Sequence, residues 1–153
     1  MPELRQPTRF LDFGSGFYTT THLEQADRWA QKVARRANTP TWIVSRYDTD
    51  IDAEGTGLRV MVFDHADEAW LHFVTENRRG GTAADAFDVI RGPVANDVVF
   101  ATIQLYEAGL LSFAETLGRL RVENLADQIV FRTKLALDQL HFLDSVAGEG
   151  ADR

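Results

Sequence analysis

Asp12-Phe13-Gly14-Ser15-Gly16-Phe17-Tyr18-Thr19-Thr20-Thr21 puts a glycine-flanked loop, a run of aromatic and β-branched residues and a helix-capping residue side by side. Glycine on both sides of Ser15 lets the backbone approach a ligand without Cβ clashes. Phe17 to Thr20 has the composition of a short strand. Thr21-His22-Leu23-Glu24 has the spacing of a capping box, in which the hydroxyl and the carboxylate each satisfy a free backbone N–H at a helix start. A strand entered through a glycine loop and left into a helix sets a fold of mixed strands and helices. A lone Gly-x-Gly marks a tight turn more often than a phosphate cradle, so the rest of the chain decides its use.

Upstream, residues 1–11 are polar and carry Pro2 and Pro7, the pattern of a leader or loop. Downstream, Leu23, Ala26, Trp29, Ala30, Val33, Ala34 and Ala37 recur at three- and four-residue spacing, with Arg28, Lys32, Arg35 and Arg36 mostly off that stripe. Asn38-Thr39-Pro40 ends this helix, and 41–48 is predicted to be a strand. An acidic loop over 50–57 leads to a strand at 58–63. Asp64 is the predicted cap of a helix whose inner face is Ala69, Trp70, Phe73 and Val74. Trp29, Trp70 and Phe73 are expected in the core.

After Gly80-Gly81 a strand over 87–91 is predicted to run into a Gly92-Pro93 turn. A helix follows over 95–108, stopped by Gly109. Ser112-Phe113-Ala114-Glu115 is a second capping box, opening a helix through Leu120. Residues 127–132 form the next predicted strand, 133–138 one or two helical turns, and 140–144 a closing strand. From Gly148 the chain is expected to fray. The expectation is one α+β domain over 1–146 and a flexible tail over 147–153.

With 153 residues the chain is long enough for one well-cored domain. A net charge of −7 argues against a broad nucleic-acid or anionic-membrane footprint. The absence of cysteine excludes disulfides, thiolate chemistry and Cys-ligated zinc. His22, His65, His72 and His141 show no ligand-like pairing, so no metal site is expected. The alternating Asp48, Asp50, Asp52 and Glu54 lack the glycine and terminal glutamate of a calcium loop. No signal-peptide pattern and no bilayer-length apolar run occurs, so a cytoplasmic location without membrane partners is expected.

Five motifs now stand in order: Asp12 to Thr20, Gln25-Ala26-Asp27-Arg28-Trp29-Ala30, Phe73 to Arg78, Asp88 to Asp97, and Asp127-Gln128-Ile129-Val130-Phe131-Arg132-Thr133. Together they resemble the bacterial family catalogued as domain of unknown function 3990, over roughly residues 8 to 144. That family looks like a branch of the ADP-ribosyltransferase superfamily. The resemblance implies a split, mostly antiparallel sheet with flanking helices, holding NAD as substrate in a cleft. It implies Tyr18 and Gln128 as the catalytic pair at the nicotinamide end. Gly14, Ser15, Gly16, Phe17, Thr19 and Thr20 would line the cofactor cleft, with Asn77 and Arg78 at its edge. It further implies the toxin of a toxin–antitoxin or conflict system, modifying a protein or nucleic-acid acceptor and masked by an antitoxin.

Two departures from the family pattern give an alternative. Gln128 stands where a glutamate usually holds the ribose, and an amide hydrogen-bonds but cannot act as a base. The Tyr-His-Gly strand that usually precedes the glycine loop is not in this sequence, where thirteen residues without histidine come before Gly14: either the sequence is truncated at its start or this member has lost that contact. The alternative is a catalytically inactive module of the same fold that binds a nucleotide or a protein, as a homodimer covering the gap. Each site residue also has a plainer reading. Tyr18 would be a half-buried strand tyrosine capping a neighbour, and Gln128 an exposed residue of an edge strand. Arg78 would offset a helix dipole, and Asn96 or Asp97 would open a helix rather than face a pyrophosphate.

Overall fold

Strand β5 (Asp127–Phe131) is apolar at three successive positions, Ile129, Val130 and Phe131, and all three are buried. Apolar side chains on both faces require cover on both, and the fold is built to supply it. The computed structural model describes residues 1–7, 9–123 and 125–150. In it β5 lies between β1 (Phe17–Thr19) and β4 (Val89–Pro93), antiparallel to each, and β3 (Val60–Val62) adds to β4 in parallel. A separate two-stranded antiparallel sheet joins β2 (Thr41–Asp48) to β6 (His141–Glu149). The molecule is therefore a mixed helix-and-strand fold with two open sheets, antiparallel except at the β3–β4 pair.

Helices cover one face of the larger sheet. Ile90 and Val130 pack there with Phe13, Trp70, Leu71, Val99 and Ile103, drawn from α2 (Glu68–Arg78), α3 (Asp97–Glu107) and the glycine loop. The opposite face buries Val89, Ile129 and Phe131 with Ile51 and with Ala136 of the short α5 (Lys134–Leu137). The two sheets meet through aromatic edges: the Phe17 ring stands edge-on to Tyr47, and Tyr47 edge-on to Phe142. α1 (Leu23–Arg36) lies on β2, where the Trp42 indole N–H donates to Asp27 at 2.6 Å.

Several local expectations hold and several change. β2 has the predicted bounds, and α4 (Phe113–Leu120) opens with the complete Ser112–Glu115 capping box. The first box does not form. His22 is the N-cap of α1 without a side-chain bond, and the Thr21 hydroxyl donates instead to Asp127 at 2.8 Å. A carboxylate is the stronger acceptor, and it sits on a strand distant in sequence. Asp67, not Asp64, caps α2 by accepting from the Trp70 amide.

Gly92 and Pro93 are the last two residues of β4 rather than a turn. Gly92 is required because a Cβ there would come within 2.9 Å of the Phe13 ring. Residues 147–149, expected in the flexible tail, belong to β6, where Ala147, Gly148 and Glu149 pair with Ile43, Trp42 and Thr41. Of the three expected core aromatics, Trp70 is fully buried and Phe73 packs partly buried against the main core, but Trp29 is 53% exposed.

Asp88 ties β3 to β4. Its carboxylate, 7% exposed, accepts from the Arg59 backbone at 2.9 Å and from two guanidinium nitrogens at 2.9 and 3.1 Å. Those Arg59 bonds hold its pKa at about 2, below the usual 3.8. A depressed carboxylate stabilises the fold above its unfolded value and loses that contribution as pH falls through the folded one. Asp88→Asn should therefore cost about 1–2 kcal/mol at neutral pH, discounted because the Arg59 side chain is largely in water. Urea denaturation of the two proteins should show the gap closing between pH 4 and pH 2. A gap independent of pH would assign the loss to packing instead.

Candidate functional site

The loop Asp12–Gly16 is fixed by side chains from three directions. The Phe13 amide donates to the Tyr18 hydroxyl at 3.1 Å, and that hydroxyl donates to the Gly14 carbonyl at 2.7 Å. Asn77 donates to the Asp12 carbonyl at 3.1 Å, and the Arg132 Nε donates to the Ser15 carbonyl at 3.0 Å. The glycines serve this packing. Gly14 has φ +74°, a conformation that disfavours side chains, and a Cβ on Gly16 would fall 2.6 Å from Val130 and 2.8 Å from the Phe131 carbonyl. The close approach at Gly16 is made by the chain's own sheet.

Tyr18 and Gln128 come together on one face. Tyr18 stands directly across from Val130, and Gln128 lies two residues along β5, so both point to the helix-covered side. Tyr18 is the capping tyrosine of the plainer reading, and burial pushes its hydroxyl well above the usual phenol range. Gln128 is 5% exposed and its amide N–H donates to the Pro93 carbonyl at 3.3 Å, which replaces the exposed edge-strand reading. The position is central because β5 has neighbours on both sides. Among the described residues no donor meets the Gln128 amide oxygen, which leaves its acceptor capacity free.

The remaining candidates are held by the protein itself. The Thr19 hydroxyl donates to the Ile129 carbonyl at 2.8 Å, and Phe17 faces Tyr47 on the opposite side of the sheet. Asn77 also accepts from the Ala84 amide, so it staples the glycine loop to the 3-10 turn Ala83–Ala86. Arg78, with a side chain 12% exposed, lies 3.4 Å from Asp12 and 3.7 Å from Glu107, and its guanidinium covers the Phe100 ring. Burial raises the Asp12 carboxyl above its usual range despite that arginine. The N-terminus of α3 is capped by Asn96, whose amide N–H reaches Glu123 at 3.1 Å. A carboxylate already occupies that side of the helix start.

A second cluster sits on the other face of β5 and was missed from sequence. Asp127 Oδ1 accepts from the Thr21 amide at 3.1 Å, the Thr21 hydroxyl and the Thr20 hydroxyl at 3.3 Å, with His22 Nδ1 at 3.2 Å. Arg91 approaches its other oxygen at 3.6 Å. Burial works to raise this carboxyl, but the bonds from Thr21 and His22 outweigh it and hold it below the usual range. The Asp–His pair fixes Nδ1 of an exposed imidazole, an arrangement able to pass a proton at its other nitrogen. No spacing signal could reveal it, because the partners lie 105 residues apart. A cleft of about 550 Å³ opens beside Pro93, between the start of α2 and the end of α4. None of the sequence-nominated residues lines it.

Tyr18→Phe keeps the ring but leaves the Phe13 amide and Gly14 carbonyl without their partner, so it should cost roughly 2 kcal/mol. Gly16→Ala should cost more, because the methyl must displace Val130 or strand backbone. Chemical denaturation ranks the two. Equal, negligible losses would mean that the loop is not part of the cooperative fold.

The model of the family described as Protein of unknown function (DUF3990) matches residues 1–142. No curated protein matches the chain, and no solved structure does. A match over that share of the sequence settles membership, and the chain belongs to the DUF3990 family.

Proposed function

We propose that this chain is an NAD-dependent ADP-ribosyltransferase, acting as the toxin of a bacterial toxin–antitoxin or conflict system. The observation that carries the reading is the common face of Tyr18 and Gln128 on neighbouring strands, beside a loop whose backbone is held by three side chains, Tyr18, Asn77 and Arg132. A rigid loop and a fixed ring favour one orientation of a bound nicotinamide, which is how positioning accelerates a bond cleavage. The Gln128 amide oxygen is an acceptor for a ribose hydroxyl. The N-glycosidic bond breaks with its electron pair leaving on nicotinamide, and the acceptor nucleophile bonds to the ribose carbon and sheds its proton. Gln128 cannot take that proton, so the acceptor's own acidity governs the second half of the reaction.

A non-catalytic binding module is the second reading, favoured by one observation. Gln128 is almost fully covered and bonded to Pro93, and the Tyr18 hydroxyl is engaged on both sides. In that reading the same face is purely structural and the chain acts through a partner.

Nicotinamide release from NAD by the wild type, beside Gln128→Ala, separates the two. The first reading expects release that falls to background in the variant while circular dichroism shows it still folded at the assay temperature, since truncating this buried side chain lowers the melting temperature under either reading. Absence of release, with no NAD-dependent rise in melting temperature, selects the module.

A further inference from the structure

α1 is amphipathic in sequence, yet the strand it rests on covers only part of its apolar stripe. Ala34 is buried and Asp27 and Ala30 are half-buried toward β2, while Trp29 is 53% and Val33 46% exposed. Trp29 and Val33 form one row at four-residue spacing, and Arg28, Lys32 and Arg36 form the row beside it, with Arg35 next to them. Glu24 heads the basic row one turn before Arg28, and from Arg28 to Arg36 no acidic residue interrupts either row. The Arg36 guanidinium lies 5.8 Å from the Trp29 ring, so the two rows are joined by a cation–π contact.

The charges on this face are unanswered in a chain that answers most others. Arg46, Arg59, Arg78, Arg91, Arg132 and Lys134 each have a carboxylate within ion-pair distance. Among the described residues, Arg28, Lys32, Arg35 and Arg36 have none. Four unpaired cations on one helix of a chain with net charge −7 make a local positive field, fitted to a negative partner. The adjoining apolar row sets the partner's second requirement.

We propose that this face of α1 docks an acidic amphipathic helix of a partner protein, carboxylates over the Arg28–Lys32–Arg36 row and aliphatic side chains over Trp29 and Val33. Two parallel rows at four-residue spacing match the ridges of another helix. A nucleic acid would leave the apolar row uncovered, and the surrounding negative charge repels it. An anionic membrane is opposed by the same net charge and would receive only two partly exposed apolar side chains. A second copy set face to face would place the basic rows against each other. The inference does not depend on NAD chemistry.

The test is fluorescence anisotropy with a labelled 14-residue helical peptide, the length of α1, bearing leucine on one face and glutamate on the other. The full chain should bind it, more weakly as salt rises. Arg28→Glu/Lys32→Glu and, separately, Trp29→Ala should each weaken binding roughly tenfold, at unchanged melting temperature because these side chains face water. A lysine-for-glutamate peptide should not bind. Failure of the acidic peptide to bind overturns the proposal. So does equal binding by the variants, or tighter association with a single-stranded oligonucleotide or phosphatidylserine vesicles than with the peptide.

Discussion

A single hydroxyl organises the centre of this protein. Tyr18 accepts from the Phe13 amide and donates to the Gly14 carbonyl, so a strand residue closes the turn that delivers the chain to its own strand. That closure drives the Phe13 ring into the main core, where it stacks near Phe63 and meets Phe73 edge-on. Gly92 exists to make room for the ring, and Gly16 to let the loop reach Val130. Removing polar partners from buried backbone is costly, which is why one side chain can fix so much of the neighbourhood. The same tyrosine is the ring proposed for ligand contact, so the proposed binding role would fall on a residue the fold already uses.

β5 distributes two kinds of chemistry onto two faces. Gln128 turns toward the helices with Val130, and Asp127 turns the other way toward Thr21, His22 and Arg91. An amide is tolerated within the core because it has one backbone carbonyl to bond. The carboxylate sits at the sheet margin, where cations and hydroxyls reach it. It also anchors the entry to α1, the role that a local cap would otherwise fill.

Much of the fold was legible where the signal is local. β-branched density located β2, and the Ser112–Glu115 spacing located the start of α4. Thr21–Glu24 shows the same spacing and fails, because a remote aspartate competes for the hydroxyl and sequence spacing does not register it. Helical periodicity found the stripe on α1 but not how much of it the narrow two-stranded sheet would cover, hence the outward Trp29. The motif around Gln128 was visible. Its burial was not, since edge and centre of a sheet are decided by strands arriving from elsewhere in the chain. Gly14 and Gly16 carry the same glycines a ligand loop would, and only the neighbouring atoms tell packing from binding.

The two-stranded sheet has a bearing on how the molecule is made. Arg46 of β2 finds Asp144 of β6 98 positions later, and among the described residues β2 pairs with no other strand. Contacts so distant in sequence form slowly, because a long loop must close before any of them contributes. During synthesis β2 leaves the ribosome well before β6 exists, with Trp42, Ile43 and Val44 on an unpaired strand. α1, its immediate predecessor in the chain, packs against it. Local packing of α1 on β2 costs far less loop closure than the β2–β6 pairing, so the two contacts on this strand differ sharply in the sequence separation they must bridge.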